Sequence, residues 1–274
     1  MRLLKFAFLL GLLWAVQVAP AQAGAGCSEK ALELTQIRNA FTMAARTRAY
    51  VEQSGASLVL VARVGTDLSE HGLRYSHLGA LLRDHPAGPW LFVHLLNDCG
   101  TGNSAIYDEG LVNFYLDDPL VYEGVVLIPT PALQARLASL FAGAAATAWH
   151  NPAYSMIARP TATKYQNSNQ WLLELIAVAQ APDGSLTSRE QAQRYFVQQG
   201  YRADTIRISD FRRFGAGIAR ANVRFDDHSA EEASNRRYEV ASVRSVARYL
   251  EHTRALIDRA VITLDRPPQP PRDY

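Results

Sequence analysis

One serine, two histidines and a cluster of carboxamides are the residues of this 274-residue chain whose types and spacing could carry chemistry. Tyr165-Gln166-Asn167-Ser168-Asn169-Gln170-Trp171 runs from a turn-like polar stretch into an apolar helical run that continues to Ala179. A hydroxyl at the mouth of a helix lies where unpaired backbone N–H groups and the positive end of the helix dipole converge. Ser168 at such a place suits a nucleophile, provided that a base removes its proton during attack. His77, in Tyr75-Ser76-His77-Leu78-Gly79, can be that base, and His94 can orient its ring. A catalytic pair needs Ser168 Oγ within about 3–3.5 Å of a His77 ring nitrogen. Gln166, Asn167, Asn169 and Gln170 are the groups near enough in sequence to help hold an oxyanion.

Each of these residues also has a structural use. Asn167 or Ser168 can be a helix N-cap, with Gln170 three residues after Asn167 making a near capping box. His77 can be a satisfied core histidine, and His94 can bond the loop at Asn97–Cys99. The four carboxamides can simply satisfy the loop backbone. Asp226-Asp227-His228 and Asp117-Asp118 have no spacing that specifies a metal, because adjacent strand side chains point to opposite faces. No metal and no cofactor is expected.

The elements that must position these groups can be read from the hydrophobic pattern. A first helix is expected from about Ser28 to about Gln53, ended by Ser54-Gly55. Leu58 to Val64 is a continuous β-branched run and reads as a buried strand. Two more strands, Tyr75 to Leu82 and Trp90 to Leu96, flank the turn-rich Asp84-His85-Pro86-Ala87-Gly88-Pro89. If they pair as a hairpin, His77 and His94 can share a face. Asn97 to Gly110 reads as a long polar loop, Leu111 to Leu116 as a short aromatic helix, and Gly124 to Ile128 as a strand. A helix follows from Pro131 to about Ala142, and then the Ser168 helix. Further helices are expected near Ser188–Gln199 and Ser242–Ile257, with strands at Ile218–Phe225, Tyr238–Val240 and Ala260–Leu264. Strands in one run with helices before and after argue for an α+β domain with an antiparallel sheet rather than βαβ repetition.

The ends of the chain bear on its compartment. Arg2 and Lys5, the apolar stretch Phe6 to Val18 and Ala21-Gln22-Ala23 read as a cleavable signal peptide over residues 1–23, hence periplasmic export. No other apolar run is long enough to span a membrane. Of 28 Lys and Arg against 26 Asp and Glu, the leader takes two basic residues, which leaves 26 against 26. A neutral mature chain has no electrostatic footprint for nucleic acid. Cys27 and Cys99 both lie in the exported part, and an even pair there is most simply a disulfide. Two lesser alternatives remain: lipidation of Cys27, although Gly24-Ala25-Gly26 lacks the large apolar residue of a lipobox, and a reactive thiol at Cys99, with His94 five residues upstream. Residues 24–265 form one globular domain on this reading, with a sheet core over about 56–180 and a C-terminal α/β extension over about 185–265. The tail 266–274 is Pro-rich and reads as an extended, frayed end.

His77 on its Tyr-Ser-His-Leu-Gly strand, preceded by Gly65-Thr66-Asp67-Leu68, resembles the start of the circularly permuted papain-like fold. That group includes the permuted NlpC-type peptidases and the lecithin:retinol acyltransferase-like proteins. The likeness covers Leu58 to Ala177. It implies a histidine on one strand, a polar orienter on the next and a nucleophile at a later helix start, and His77, His94 and Ser168 fall in that order. Over the whole mature chain, the sequence resembles a bacterial exported family, domain of unknown function 2145. The likeness is carried by Leu73-Arg74-Tyr75-Ser76-His77, His94-Leu95-Leu96-Asn97-Asp98-Cys99-Gly100, the Ser168 segment and Phe225-Asp226-Asp227-His228. This second resemblance names no activity. The papain-like group uses a cysteine where this chain has Ser168, and a helix dipole and imidazolium that ionise a thiol cannot ionise a hydroxyl. Two functions are therefore expected. One is an envelope hydrolase or acyltransferase acting on an amide or ester; the other is a non-catalytic periplasmic protein that keeps the cleft to bind a peptide, glycan or lipid.

Overall fold

The computed structural model describes residues 31–271, except 118, 211–212 and 214–220. The expected signal peptide, Ser28 and Cys27 lie outside the described residues. The order of elements is α1 (Leu34–Ser54), β1 (Leu58–Val64), β2 (His77–His85), β3 (Gly88–Asn97), β4 (Ser104–Glu109), α2 (Leu111–Leu116) and β5 (Val121–Pro129). Next come α3 (Pro131–Phe141), α4 (Ala145–Ala148), α5 (Ser168–Gln180), α6 (Arg189–Gln198) and β6 (Asp204–Arg207). The chain continues through α7 (Ala230–Asn235), β7 (Arg237–Val240), α8 (Val243–His252) and β8 (Leu256–Thr263).

Six strands form one antiparallel sheet in the order β4-β3-β2-β1-β5-β8, and β6 pairs with β7 separately. The protein is thus α+β, with an N-terminal helix beside an antiparallel sheet. Every residue of β1 is buried, because the sheet is covered on both faces. Leu58, Leu60 and Ala62 face α5 and α3, where Leu172, Leu173, Ile176, Leu133 and Leu137 pack against them. Val59 and Val61 face the other way, toward Met43 and Val51 of α1 and Phe114 of α2. This two-sided burial explains why the β1 sequence is continuously apolar rather than alternating. The α5 helix is buried nearly all round. Truncating Leu172 or Ile176 to Ala at so dense a site costs about 2–5 kcal/mol.

Several expectations need correction. Asn97 to Gly110 is not one long loop: Ser104–Glu109 is a strand, pairing with β3 from Asn97↔Ser104 to Phe92↔Glu109. No strand includes residues 221–225, and 218–220 lie outside the described residues. The last helix stops at His252 rather than near Ile257, because Arg254 turns left-handed at φ 55° and the Ala255 N–H closes onto Leu250 O at 2.7 Å. The tail is not frayed up to residue 269: Gln269 exchanges both backbone hydrogen bonds with Val261.

Candidate active site

Ser168 is the first residue of α5, and Asn167 before it is the N-cap. Asn167 has extended backbone, and its Oδ1 accepts the Gln170 N–H at 2.8 Å. Capping is therefore done by Asn167, which leaves the Ser168 hydroxyl free to turn elsewhere. It lies 3.1 Å from His77 Nδ1. The backbone N–H of Ser168 sits in the first turn with no acceptor among the described residues, as the geometry of a helix start requires.

The loop before Ser168 is held from behind by a buried charge. Gln166 Oε1 accepts the Asn151 N–H at 2.8 Å, while its Nε2 donates to Trp149 O at 3.0 Å and to Glu174 Oε2 at 2.7 Å. Glu174 is fully buried nearly two turns along α5 from Ser168, where Arg189 meets both of its oxygens at 2.8 and 3.1 Å. Gln193 donates to it at 2.8 Å. Burial pushes the Glu174 carboxyl up from its ordinary range, and Arg189 opposes that rise. Gln170 Nε2 is spread over the carbonyls of Arg159, Pro160 and Ala162. Both glutamines are thus committed to the frame. Asn169 Nδ2 ties Ser76 O to Ala241 O, at 3.4 and 3.3 Å. Of the groups expected to assist an oxyanion, the one left open to a ligand is the backbone of the Ser168 turn.

His77 opens β2, opposite Arg63 of β1. Just before it, the Ser76 hydroxyl accepts the N–H groups of Gly65 and Thr66 at 2.9 and 3.2 Å, which fixes where the strand begins. From β3, His94 places Nδ1 2.8 Å from His77 Nε2. The rings cross at 66° with centroids 5.0 Å apart, and Phe114 stands about equally close to both. Gly79 makes this crossing feasible. A Cβ there would lie 2.4 Å from Phe92 Cζ and 2.9 Å from His94 Cβ.

A fourth group completes the run. Glu109, the last residue of β4, brings Oε1 to 3.0 Å from His94 Nε2. The angle there is poor for a hydrogen bond, and neither atom has another partner among the described residues. The contact is a close approach of an imidazole N–H edge to a carboxylate. Glu109 was hidden in the sequence because its segment reads as loop. The signal that could have found it is the Ala105-Ile106-Tyr107 run closing a polar turn, a short edge strand returning beside β3.

These contacts have one self-consistent proton order. With a carboxylate facing His94 Nε2, that nitrogen carries the proton, so His94 Nδ1 accepts from His77 Nε2–H. His77 Nδ1 is then bare and accepts from Ser168 Oγ–H. Burial, together with the nearby His94 and Arg63, holds the His77 pKa well below its ordinary value, so the ring stays neutral and Nδ1 stays free of a proton. Arg63 is itself buried, donating to Phe114 O and paired with Asp117. A neutral base on a hydroxyl, oriented through a second ring by a carboxylate, is an arrangement able to activate a serine.

His228 lies apart from this run, with Nε2 2.8 Å from Ile157 O and Nδ1 3.1 Å from Glu232 Oε1. No group of three or more His, Cys, Asp or Glu suited to a metal occurs among the described residues. No described helix is long and apolar enough to cross a membrane.

No curated protein and no solved structure matches the chain. A family profile does match, over residues 50–250, a span that holds Ser168, His77, His94 and Glu109. The chain belongs to that family, domain of unknown function 2145, described as an uncharacterized protein conserved in bacteria.

Proposed function

We propose that this protein is an exported serine hydrolase or acyltransferase of the cell envelope, acting on an amide or ester in a papain-like permuted cleft. The observation that carries the reading is the pair of contacts Ser168 Oγ–His77 Nδ1 and His77 Nε2–His94 Nδ1, at 3.1 and 2.8 Å, with Glu109 Oε1 approaching His94 Nε2 at 3.0 Å behind them. Ser168 Oγ attacks the substrate carbonyl carbon as its proton passes to His77 Nδ1. The resulting oxyanion lies at the Ser168 N–H and the positive end of α5. Collapse breaks the bond to the leaving group, which takes the proton back from His77, and acyl-Ser168 remains. Water or an acceptor hydroxyl or amine repeats the steps in reverse. His94 and Glu109 touch no substrate; they position the His77 ring, and the Glu109 carboxylate balances the charge it gains.

The chain order of histidine, orienter and nucleophile on strand, strand and helix supports the papain-like assignment. A leader at residues 1–23 and a Cys27–Cys99 disulfide belong to the same reading. Intact-mass measurement without reductant on periplasmic protein tests both. The activity is tested with a fluorophosphonate probe. Labelling of the wild type that disappears in Ser168→Ala is the expected result; equal labelling of both refutes it. The competing function is a non-catalytic binder, and the observation in its favour is that only 5% of Ser168 is exposed.

A further inference from the structure

Beside the nucleophile segment is a recess of about 240 Å³ whose lining includes Tyr165, Arg213, Arg224, Phe225 and Asp226. It adjoins the Ser168 turn through the chain on either side. Asn167 Nδ2 donates to Met156 O at 3.4 Å, and the Met156 N–H donates to Asn222 O at 2.8 Å. The backbone of Arg224 is clipped to the Ser155 hydroxyl, accepting from it at 3.2 Å and donating to it at 3.1 Å. Segment 222–226 therefore forms a wall one hydrogen-bonded layer from Ser168.

The charges in the recess do not cancel. Asp226 is already occupied, taking Lys164 Nζ at 2.5 Å and the Tyr165 hydroxyl at 3.3 Å. Neither arginine has a carboxylate partner among the described residues. The Arg213 guanidinium stands 5.6 Å over the Phe225 ring, and Arg224 lines the recess together with Tyr165. Two guanidinium groups with no carboxylate partner among the described residues, lined by two aromatic rings, match a ligand with an oxyanion on a short apolar stem.

We propose that this recess is a substrate subsite for an anionic group, a carboxylate or phosphate borne on the substrate away from the scissile amide or ester. The assignment rests on the acyl-transfer reading above, but its test does not need turnover. Ser168→Ala protein is titrated with N-acetylglutamate, its uncharged diamide N-acetylglutaminamide and phenyl phosphate, and binding is followed through the NMR signals of the arginine Nε–H groups. N-acetylglutamate should bind at least about tenfold tighter than its amide, and Arg213→Gln or Arg224→Gln should each remove about that factor, as expected for one charge-assisted hydrogen bond. Arg224→Lys, which keeps the charge, should retain part of the affinity. Tighter binding of phenyl phosphate than of N-acetylglutamate would assign a phosphorylated substrate, and the reverse an acidic one. Equal affinity for the acid and its amide, no binding of either anion, or unchanged binding in Arg213→Gln/Arg224→Gln would overturn the subsite. Loss of Ser168-dependent labelling alone would remove the enzyme reading and leave the subsite standing.

Discussion

His94 Nε2 and Glu109 Oε1 face each other at 3.0 Å, and the contact orders the protons of two rings that Glu109 itself reaches only in part. If Glu109 becomes a carboxamide, the amide can present either its oxygen or its NH₂ to His94. The NH₂ orientation flips both tautomers and puts a proton on His77 Nδ1, where the base must be bare. Glu109→Gln should therefore keep the fold but slow fluorophosphonate labelling by about 10²-fold, the low end for losing general-base catalysis. A labelling rate equal to wild type would show that Glu109 is only a surface carboxylate.

Gly79 tests the geometry from another side. An Ala Cβ there meets Phe92 and His94 at distances that no side chain tolerates, so one of the two rings must move. Overpacking of this sort costs about 1–3 kcal/mol. Gly79→Ala should lower the thermal midpoint and also break the His77–His94 contact, seen as a large change in the His77 ring signals by NMR. Stability loss with those signals unmoved would mean that Phe92 alone gives way.

The pH dependence follows from His77. Its pKa is depressed in the folded protein, first by burial and then by His94 and Arg63. The base therefore remains neutral below pH about 6.5, where an ordinary histidine is half protonated. Labelling should stay flat as pH falls through that value and drop only in more acid solution. Stability has the opposite sensitivity. Below about pH 6.5 the unfolded chain binds a proton that folded His77 refuses, so the contribution is fully present above that pH and declines beneath it. Comparing wild type with His77→Gln in denaturant titrations isolates the effect: the gap between them should change as pH falls, and a constant gap contradicts the depressed pKa.

What the sequence could and could not disclose follows from how each element is stabilised. β1 to β3 are legible because their burial writes itself as apolar runs, and α5 because a polar cap meets an apolar helix. Ser168, His77 and His94 were visible for that reason. β4 was not, since Gly100, Gly102 and Asn103 signal a turn and the strand lies at the sheet edge, with only Ser104 of its six residues buried. Glu109 went unseen with it. The end of α8 was overrun because an arginine, Arg254, holds the left-handed position where glycine is the usual mark. β6 pairs four residues with a partner far along the chain, and such pairing leaves no local trace. The roles of Gln166 and Gln170 were open for a related reason: their partners, Glu174 and the 159–162 turn, are fixed only by packing.

Glu174 and Arg189 form the support on which the nucleophile segment rests, and the pair separates framework from chemistry. Glu174 is fully buried and takes hydrogen bonds from Gln166, Gln193 and Arg189. Removing Arg189 leaves a carboxylate with no charge partner inside the protein, which costs about 3–5 kcal/mol unless the group takes up a proton. Arg189→Met should therefore be strongly destabilised at neutral pH and partly recover in mild acid, where Glu174 protonates. Glu174→Gln should be the milder change, because an amide oxygen still accepts from Arg189 and Gln193. In both variants Ser168 should keep its hydrogen bond to His77 once folded, so that labelling per folded molecule falls less than stability does. If labelling is lost in Glu174→Gln while its thermal midpoint is unchanged, then the buried carboxylate acts in the chemistry rather than beneath it.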